Sequence, residues 1–367
     1  MFKKSILISA LLVFLTAFSI SCSSDNNDDD IVISDEQGED NNDQGDDDSN
    51  DDNGDDQGDN NDNGSLATNG CQNVVVVNGF AYAACGEEIE VISLTTLERN
   101  LLNISGDDIT ADGDVGLLFA LDRNTINVLS LDNPMNPNLL TTLNTNFSAF
   151  SGISAANGVL VISAGAGSAN TQIFTYTNNA VILATNGNAT IDNVTGNPDV
   201  HVTETADGIT AFYSQDIGQV ANWAIQIADI NVNGEIVNIP PFVTLTARQF
   251  TGGPFGPSNF PVESEFLNNR LYVAHFAVQG IEIIDLENNN QLLSPINLPY
   301  EPTNIATDGT LLFVVGVTNN TVDVIDPATN TVIDSFQATL TQPTGVAAST
   351  THIAVADRTE GLVIIER

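Results

Sequence analysis

One six-residue pattern of apolar and polar positions recurs along most of the chain: apolar, polar, apolar, apolar, polar, then usually Leu, Ile or Pro. It reads IEVISL at Ile89–Leu94, INVLSL at Ile126–Leu131, IQIADI at Ile225–Ile230, IEIIDL at Ile281–Leu286 and VDVIDP at Val322–Pro327. A looser copy, LVIIER, occupies Leu362–Arg367, and a degenerate one, IFTYTN, occupies Ile173–Asn178. In chain order the copies start 37, 47, 52, 56, 41 and 40 residues apart. Each follows a second apolar run: Phe80–Cys85, Leu117–Leu121, Val159–Ala164, Ile209–Ser214, Leu271–Phe276, Leu311–Gly316 and Ile353–Asp357. Most of these runs are preceded by Asn-Gly or Asp-Gly (78–79, 112–113, 157–158, 207–208, 308–309), the strongest short hairpin signal because these residues tolerate positive φ. A further short strand is expected before each turn, and often another after each copy, as at Thr331–Phe336.

Four short strands per unit of about 40 residues, seven times over and without a helical stretch, predict an all-β, seven-bladed β-propeller over residues 69–367. Blades sandwiched between neighbours are apolar on both faces, which accounts for near-continuous apolar runs in place of strict alternation. The units LLFVVGVTNNTVDVIDPATNTVIDSF (311–336) and LYVAHFAVQGIEIIDLENNNQLLSPI (271–296) resemble YVTN/LVIVD-type repeats of bacterial and archaeal surface proteins. The likeness spans roughly residues 70–367 and implies a fold and a cell-surface setting, not a reaction. The seventh unit runs out after its third strand, so either its outer strand comes from the N-terminal side or the last blade has three strands. Ser65–Asn69 is the nearest candidate and Ile31–Ile33 a remote one. With Val77-Asn78-Gly79 as a three-residue loop, residue 71 faces residue 85, and Cys71 and Cys85 are expected to form a cross-strand disulfide of an exported protein.

The N-terminus has a different pattern. Met1-Phe2-Lys3-Lys4 precedes an apolar run, Ile6–Phe18, too short to span a bilayer comfortably and typical of a secretory signal over residues 1–21. Ser19-Ile20-Ser21-Cys22 resembles a lipoprotein lipobox in its looser Bacteroidetes form, which implies that Cys22 becomes the lipidated first residue of the mature chain. Two or three acyl chains, at ~0.8 kcal/mol per buried CH₂, would anchor it stably. Residues 23–64 carry 18 Asp/Glu and no Lys or Arg, so 22–68 reads as a disordered acidic tether reaching roughly 35 Å. Its start, Ser23-Ser24-Asp25-Asn26-Asn27-Asp28, resembles the surface-export signal of Bacteroidetes lipoproteins. Asp59–Gly64 matches half of an EF-hand loop, but Gly70 stands where the bidentate Glu belongs.

Residues 65–367 hold the other 30 acidic residues against six arginines and no lysine, which excludes nucleic-acid binding and polybasic docking to lipid. Acidic or polar residues recur where innermost strands should begin: Asp107, Asp108, Asp199, His201, Glu263 and Glu301. Converging there, at a channel mouth, they could hold Ca²⁺ or a cationic or hydroxylated ligand, or simply initiate turns. The insertion 239–264 is rich in Pro, Gly and Phe, and Phe250, Phe255 and Phe260, with Trp223, form a candidate loop patch for a glycan or peptide. The alternative for these aromatics is packing against the blades. The three histidines have no metal-ligand spacing, and no nucleophile elbow is present. These features predict a monomeric, lipid-anchored outer-membrane protein exposed on the cell surface, acting as a non-catalytic binding module for an extracellular protein or glycan. The alternative is an extracellular propeller hydrolase, lyase or lactonase using the channel-mouth carboxylates.

Overall fold

A computed structural model describes residues 70–145, 150–164, 170–178, 180–190, 199–206, 208–216, 223–245, 262–275, 279–316 and 318–367. They form seven small antiparallel sheets and no helix. The innermost strands are Asn73–Val77, Asp108–Asp112, Phe150–Ala156, Asp199–Thr205, Val262–Leu267, Asn304–Thr307 and Pro343–Ala348. Each contacts the next, and the seventh contacts the first, which makes a closed seven-bladed propeller.

The repeated pattern falls on one structural position. Every copy lies in the third strand of its blade: Ile89–Ser93, Thr125–Ser130, Asn170–Thr177, Trp223–Ile230, Gly280–Asp285, Asn319–Asp326 and Gly361–Glu366. Every upstream apolar run forms the second strand. The apolar positions feed seven hydrophobic clusters, one at each joint between neighbouring blades. The two polar positions have separate tasks. The fifth caps the turn after the strand: Ser93 and Ser130 hydroxyls and Asp285 and Asp326 carboxylates each accept an amide hydrogen from that turn. The second is polar although inside the fold, and it bonds the connecting segments. Asn127 donates to the Ser105 carbonyl, Gln226 to the Pro240 carbonyl, and Asp323 accepts from the Tyr300 hydroxyl at 2.8 Å. Such buried groups are tolerated because each has a partner.

In the first blade that second position is Glu90, which is fully buried and closes the ring. Arg99 donates to its Oε1 at 2.7 Å and to the Leu362 carbonyl of the seventh blade, while the Leu362 amide donates to Glu90 Oε2. The Cys71 amide adds a bond to the Asp357 carbonyl. Among the described residues the seventh sheet has three strands, and Ser65–Asn69 and Ile31–Ile33 lie outside them.

The disulfide between Cys71 and Cys85 is present, but the register differs from the expectation. Val77 pairs with Phe80 and Asn73 with Ala84, so the loop has two residues, Asn78 and Gly79, with φ of 52° and 82°. That is the double positive-φ turn which an Asn-Gly pair favours and which matches strand twist. Residues 71 and 85 are therefore not directly opposed in the ladder, and the disulfide forms just beyond its end.

Candidate functional site in the axial channel

The inner strand of each blade has a sheet neighbour on one side only, so its other edge presents backbone N–H groups to the channel. Unsatisfied amides there would be costly. Side chains at one level of the ring cap several of them from the adjacent blade. Asp108 Oδ2 accepts from the Ile153 amide at 2.9 Å, and Asn304 Oδ1 from the Val346 amide at 3.1 Å. One step deeper, Ser154 Oγ accepts from the Val202 amide at 2.8 Å. The ring at the upper level reads Asn73, Asp108, Gly152, Asp199, Glu263, Asn304, Gly345. Glycine is required at 152, because a Cβ there would lie 2.7 Å from Asp199 Oδ1 and 2.9 Å from its Cα.

The resulting channel is a cavity of about 300 Å³ whose wall includes Asp108, Asp199, His201, Glu263 and Glu265. Asp108 also accepts from the Asn73 side chain and from the Ile109 amide at 2.8 Å, so it ties three blades together. Asp199 and Glu263 hydrogen-bond to each other across the joint of blades four and five. A hydrogen bond between two carboxyl groups requires a proton on one of them. Burial first, then the charge of Asp108, raise the proton affinity of Asp199 against its bonds from the Val200 amide and Glu263, and burial, then the charges of Asp199 and Asp108, raise that of Glu263. Burial raises Asp108 to about 6 against the bonds from Asn73, Ile109 and Ile153. It raises Glu265 to about 8 and lowers His201 to about 4. His201 Nε2 stands 4.0 Å from Glu265 Oε1 without a hydrogen-bond partner, and with these shifts the two are a neutral pair at pH 7, not an ion pair.

Three of the sequence candidates therefore converge, with His201 one step below. Asp107 does not: it is exposed, and its charge only adds to the upward pressure on Asp108. Glu301 does not either. The inner strand of the sixth blade starts three residues later, so Asn304 takes the ring position and Glu301 meets Gln279 Nε2 outside the channel. Trp223 belongs to no exposed patch. As the first residue of a third strand it is 3 % exposed, packed with Phe212 and Leu245 at the joint of blades four and five. Of the insertion's phenylalanines, Phe242 is exposed and Phe266 stacks on Phe212 at 6.3 Å. Cys22, Phe250, Phe255 and Phe260 lie outside the described residues. Glu265 was absent from the sequence candidates, although it sits two residues from Glu263 and so on the same side of its strand.

The chemistry open to this arrangement is proton exchange and polar binding. Among the described residues, the only three potential metal ligands close enough to share one ion are Cys71, Cys85 and Glu90, and the disulfide takes two of them. Among the described residues no set of that kind arises in the channel.

No family model matches the chain, and no curated protein sequence matches it. Solved structures are similar in fold. Kuenenia stuttgartiensis hydrazine synthase has a TM-score of 0.64 at 12% identity, covering 81% of this chain and 96% of that one. The WD40 β-propeller domain of Doa1 has a TM-score of 0.59 at 11% identity, covering 82% and 94%. A chain of the mitotic checkpoint complex has a TM-score of 0.57 at 10% identity, covering 81% and 87%. Identities this low carry the fold alone, and fold alone carries no activity.

Proposed function

We propose that this chain is a lipid-anchored, cell-surface propeller that binds an extracellular protein or glycan without catalysis. Cys22 would fix it to the lipid, and the acidic residues after it would direct it outward and hold the ring away from the membrane. The observation that carries the non-catalytic reading is how the channel carboxyls are employed. Asp108 is taken up in capping the third blade's edge, and Asp199 and Glu263 are bonded to each other. A directly bonded pair is closer than the ~5 Å that retaining glycosidases need, and far closer than the spacing of inverting ones. Rigid loops on such a ring are a usual place for recognition.

Two experiments test the reading. Cys22→Ala should release the protein from the membrane fraction, and retention would refute the lipid anchor. The soluble full chain carrying that substitution should then capture a protein or glycan from intact cells. If nothing is captured, while Glu263→Gln abolishes turnover of an extracellular polysaccharide or lactone, the enzyme reading replaces this one.

A further inference from the structure

The end of the ring opposite the carboxyl mouth gathers the first-hairpin turns and the turns after the third strands. There, two grooves flank the fourth blade. One, of about 900 Å³, lies between blades three and four, and the other, of about 500 Å³, lies between blades four and five. The strip separating them is residues 231–242. Its outer strand, Ile236–Asn238, lasts only three residues before Pro240-Pro241 ends it. The third strand stays buried and is also paired by Val243–Thr244, while the strip itself faces outward: Val232, Val237, Ile239 and Phe242 are 77, 62, 44 and 41 % exposed. Val232 and Val237 line the wider groove together with Ile209 and Ile230. Its remaining wall includes Asp114, Glu204 and Asp229, and Asp229 also lines the narrower groove, with Glu287. Among the described residues no Lys or Arg lines either one.

From this geometry we propose that the outer strip of the fourth blade is a docking surface for a cationic, amphipathic segment of a partner protein. Apolar side chains of that segment seat on Val232 and Val237, and its Lys or Arg side chains meet Glu204 and Asp229. Charge complementarity selects the occupant. The chain's own tail offers no cation between residues 23 and 64, and a second copy brings the same net charge of −40. Anionic lipid and nucleic acid are repelled for the same reason. A cationic partner is steered in by the field of the whole ring and held by the apolar contacts. This proposal rests on the reading of the chain as a binding propeller and names the class of partner.

The test is fluorescence anisotropy of the full chain with three labelled peptides: Lys/Leu amphipathic, Lys/Ser of equal charge, and Glu/Leu. The acidic tail attracts any cation, so the Lys/Ser peptide measures that background. The Lys/Leu peptide should bind the wild type at least about tenfold more tightly than Lys/Ser, the effect of burying one or two aliphatic side chains. Val232→Asp/Val237→Asp adds two negative charges, so simple attraction would hold or grow, whereas docking should weaken by about tenfold. Leu140→Asp, on an exposed site of the second blade, should change nothing. Should the aspartate pair lose the native circular dichroism, Val232→Ser/Val237→Ser is read by the same criterion. Equal binding of Lys/Leu and Lys/Ser, undiminished binding by the double variant, or tight binding of Glu/Leu would overturn the proposal. Cell-surface capture run beside it separates the two failures: capture by both wild type and double variant leaves the binding reading standing without the groove.

Discussion

The joint between the first and seventh blades and the joint between the fourth and fifth both bury acidic side chains, and they neutralise them in opposite ways. At the first joint Glu90 has a cation, Arg99, at 2.7 Å, an amide from the neighbouring blade, and a disulfide nearby. At the other, among the described residues, Asp199 and Glu263 meet no cation: they bond each other and Asp199 accepts from the Val200 amide, with Glu265 and His201 one step below. With six arginines against 30 acids in the ring and its flank, cations are too few to serve every joint. Where one is supplied, the acid is met by an opposite charge across the joint. Where none is supplied, a proton takes its place and the joint acquires a pH dependence.

The largest effect is expected at the first joint. Arg99→Ala leaves Glu90 as a buried charge without a cation and should cost about 3–5 kcal/mol in denaturant unfolding. Arg99→Met with Glu90→Gln should cost much less, because no charge is then stranded. An equal loss in both would show that packing, not charge, closes the ring. Next comes the disulfide, whose bridge closes a 14-residue separation. Cys71→Ser/Cys85→Ser should lose about 2–3 kcal/mol, seen as a lower midpoint with an unchanged slope. No change would mean that Glu90 and Arg99 suffice alone.

At the fourth–fifth joint the smaller signal is its dependence on pH. Folding raises the proton affinity of Asp199, Glu263 and Glu265, so the folded state binds more protons than the unfolded one. Their stabilising contribution is complete below the unfolded carboxylate range and is lost as pH rises through the folded values. His201 is lowered to about 4, so its contribution grows between about pH 4 and 6.5 and opposes theirs there. Above about pH 6.5 only the acids remain, and stability should fall by on the order of 1–3 kcal/mol toward pH 9. The many exposed acids are already ionised above about pH 6, so their repulsion is nearly constant over this window. The smallest effect is expected from Asn304→Ala, which uncovers the Val346 amide and should cost about 1 kcal/mol.

The architecture was legible because its signal is repeated. Each copy of the pattern falls on a third strand, since a strand packed on both faces needs the same apolar positions in every blade. Asp108, Asp199 and Glu263 were legible because a charged residue at the start of an inner strand must point at the channel or a neighbouring blade. Glu301 misled because Pro302 and Thr303 carry the chain past the ring position before the strand starts at Asn304. Asn73 and Asn304 were not among the candidates, because nothing in an amide side chain announces that it will bond into the next blade. The first hairpin misled by one residue: Asn78-Gly79 fits a two-residue or a three-residue turn, and only the backbone angles decide. For Trp223 the sequence left a loop patch and packing against the blades open, and it begins a buried strand and packs at a joint.

The central claim, that a shared proton stands in for a missing cation at the fourth–fifth joint, has one direct test. Unfolding free energy should be measured from pH 6 to 9 at moderate salt for the wild type and for Glu263→Gln. The wild type is expected to lose stability steadily over that range, and the variant, which keeps a hydrogen bond to Asp199 without needing the proton, should show a clearly shallower slope. Parallel slopes would contradict the account and place the pH dependence in the other buried acids, Asp108 and Glu265.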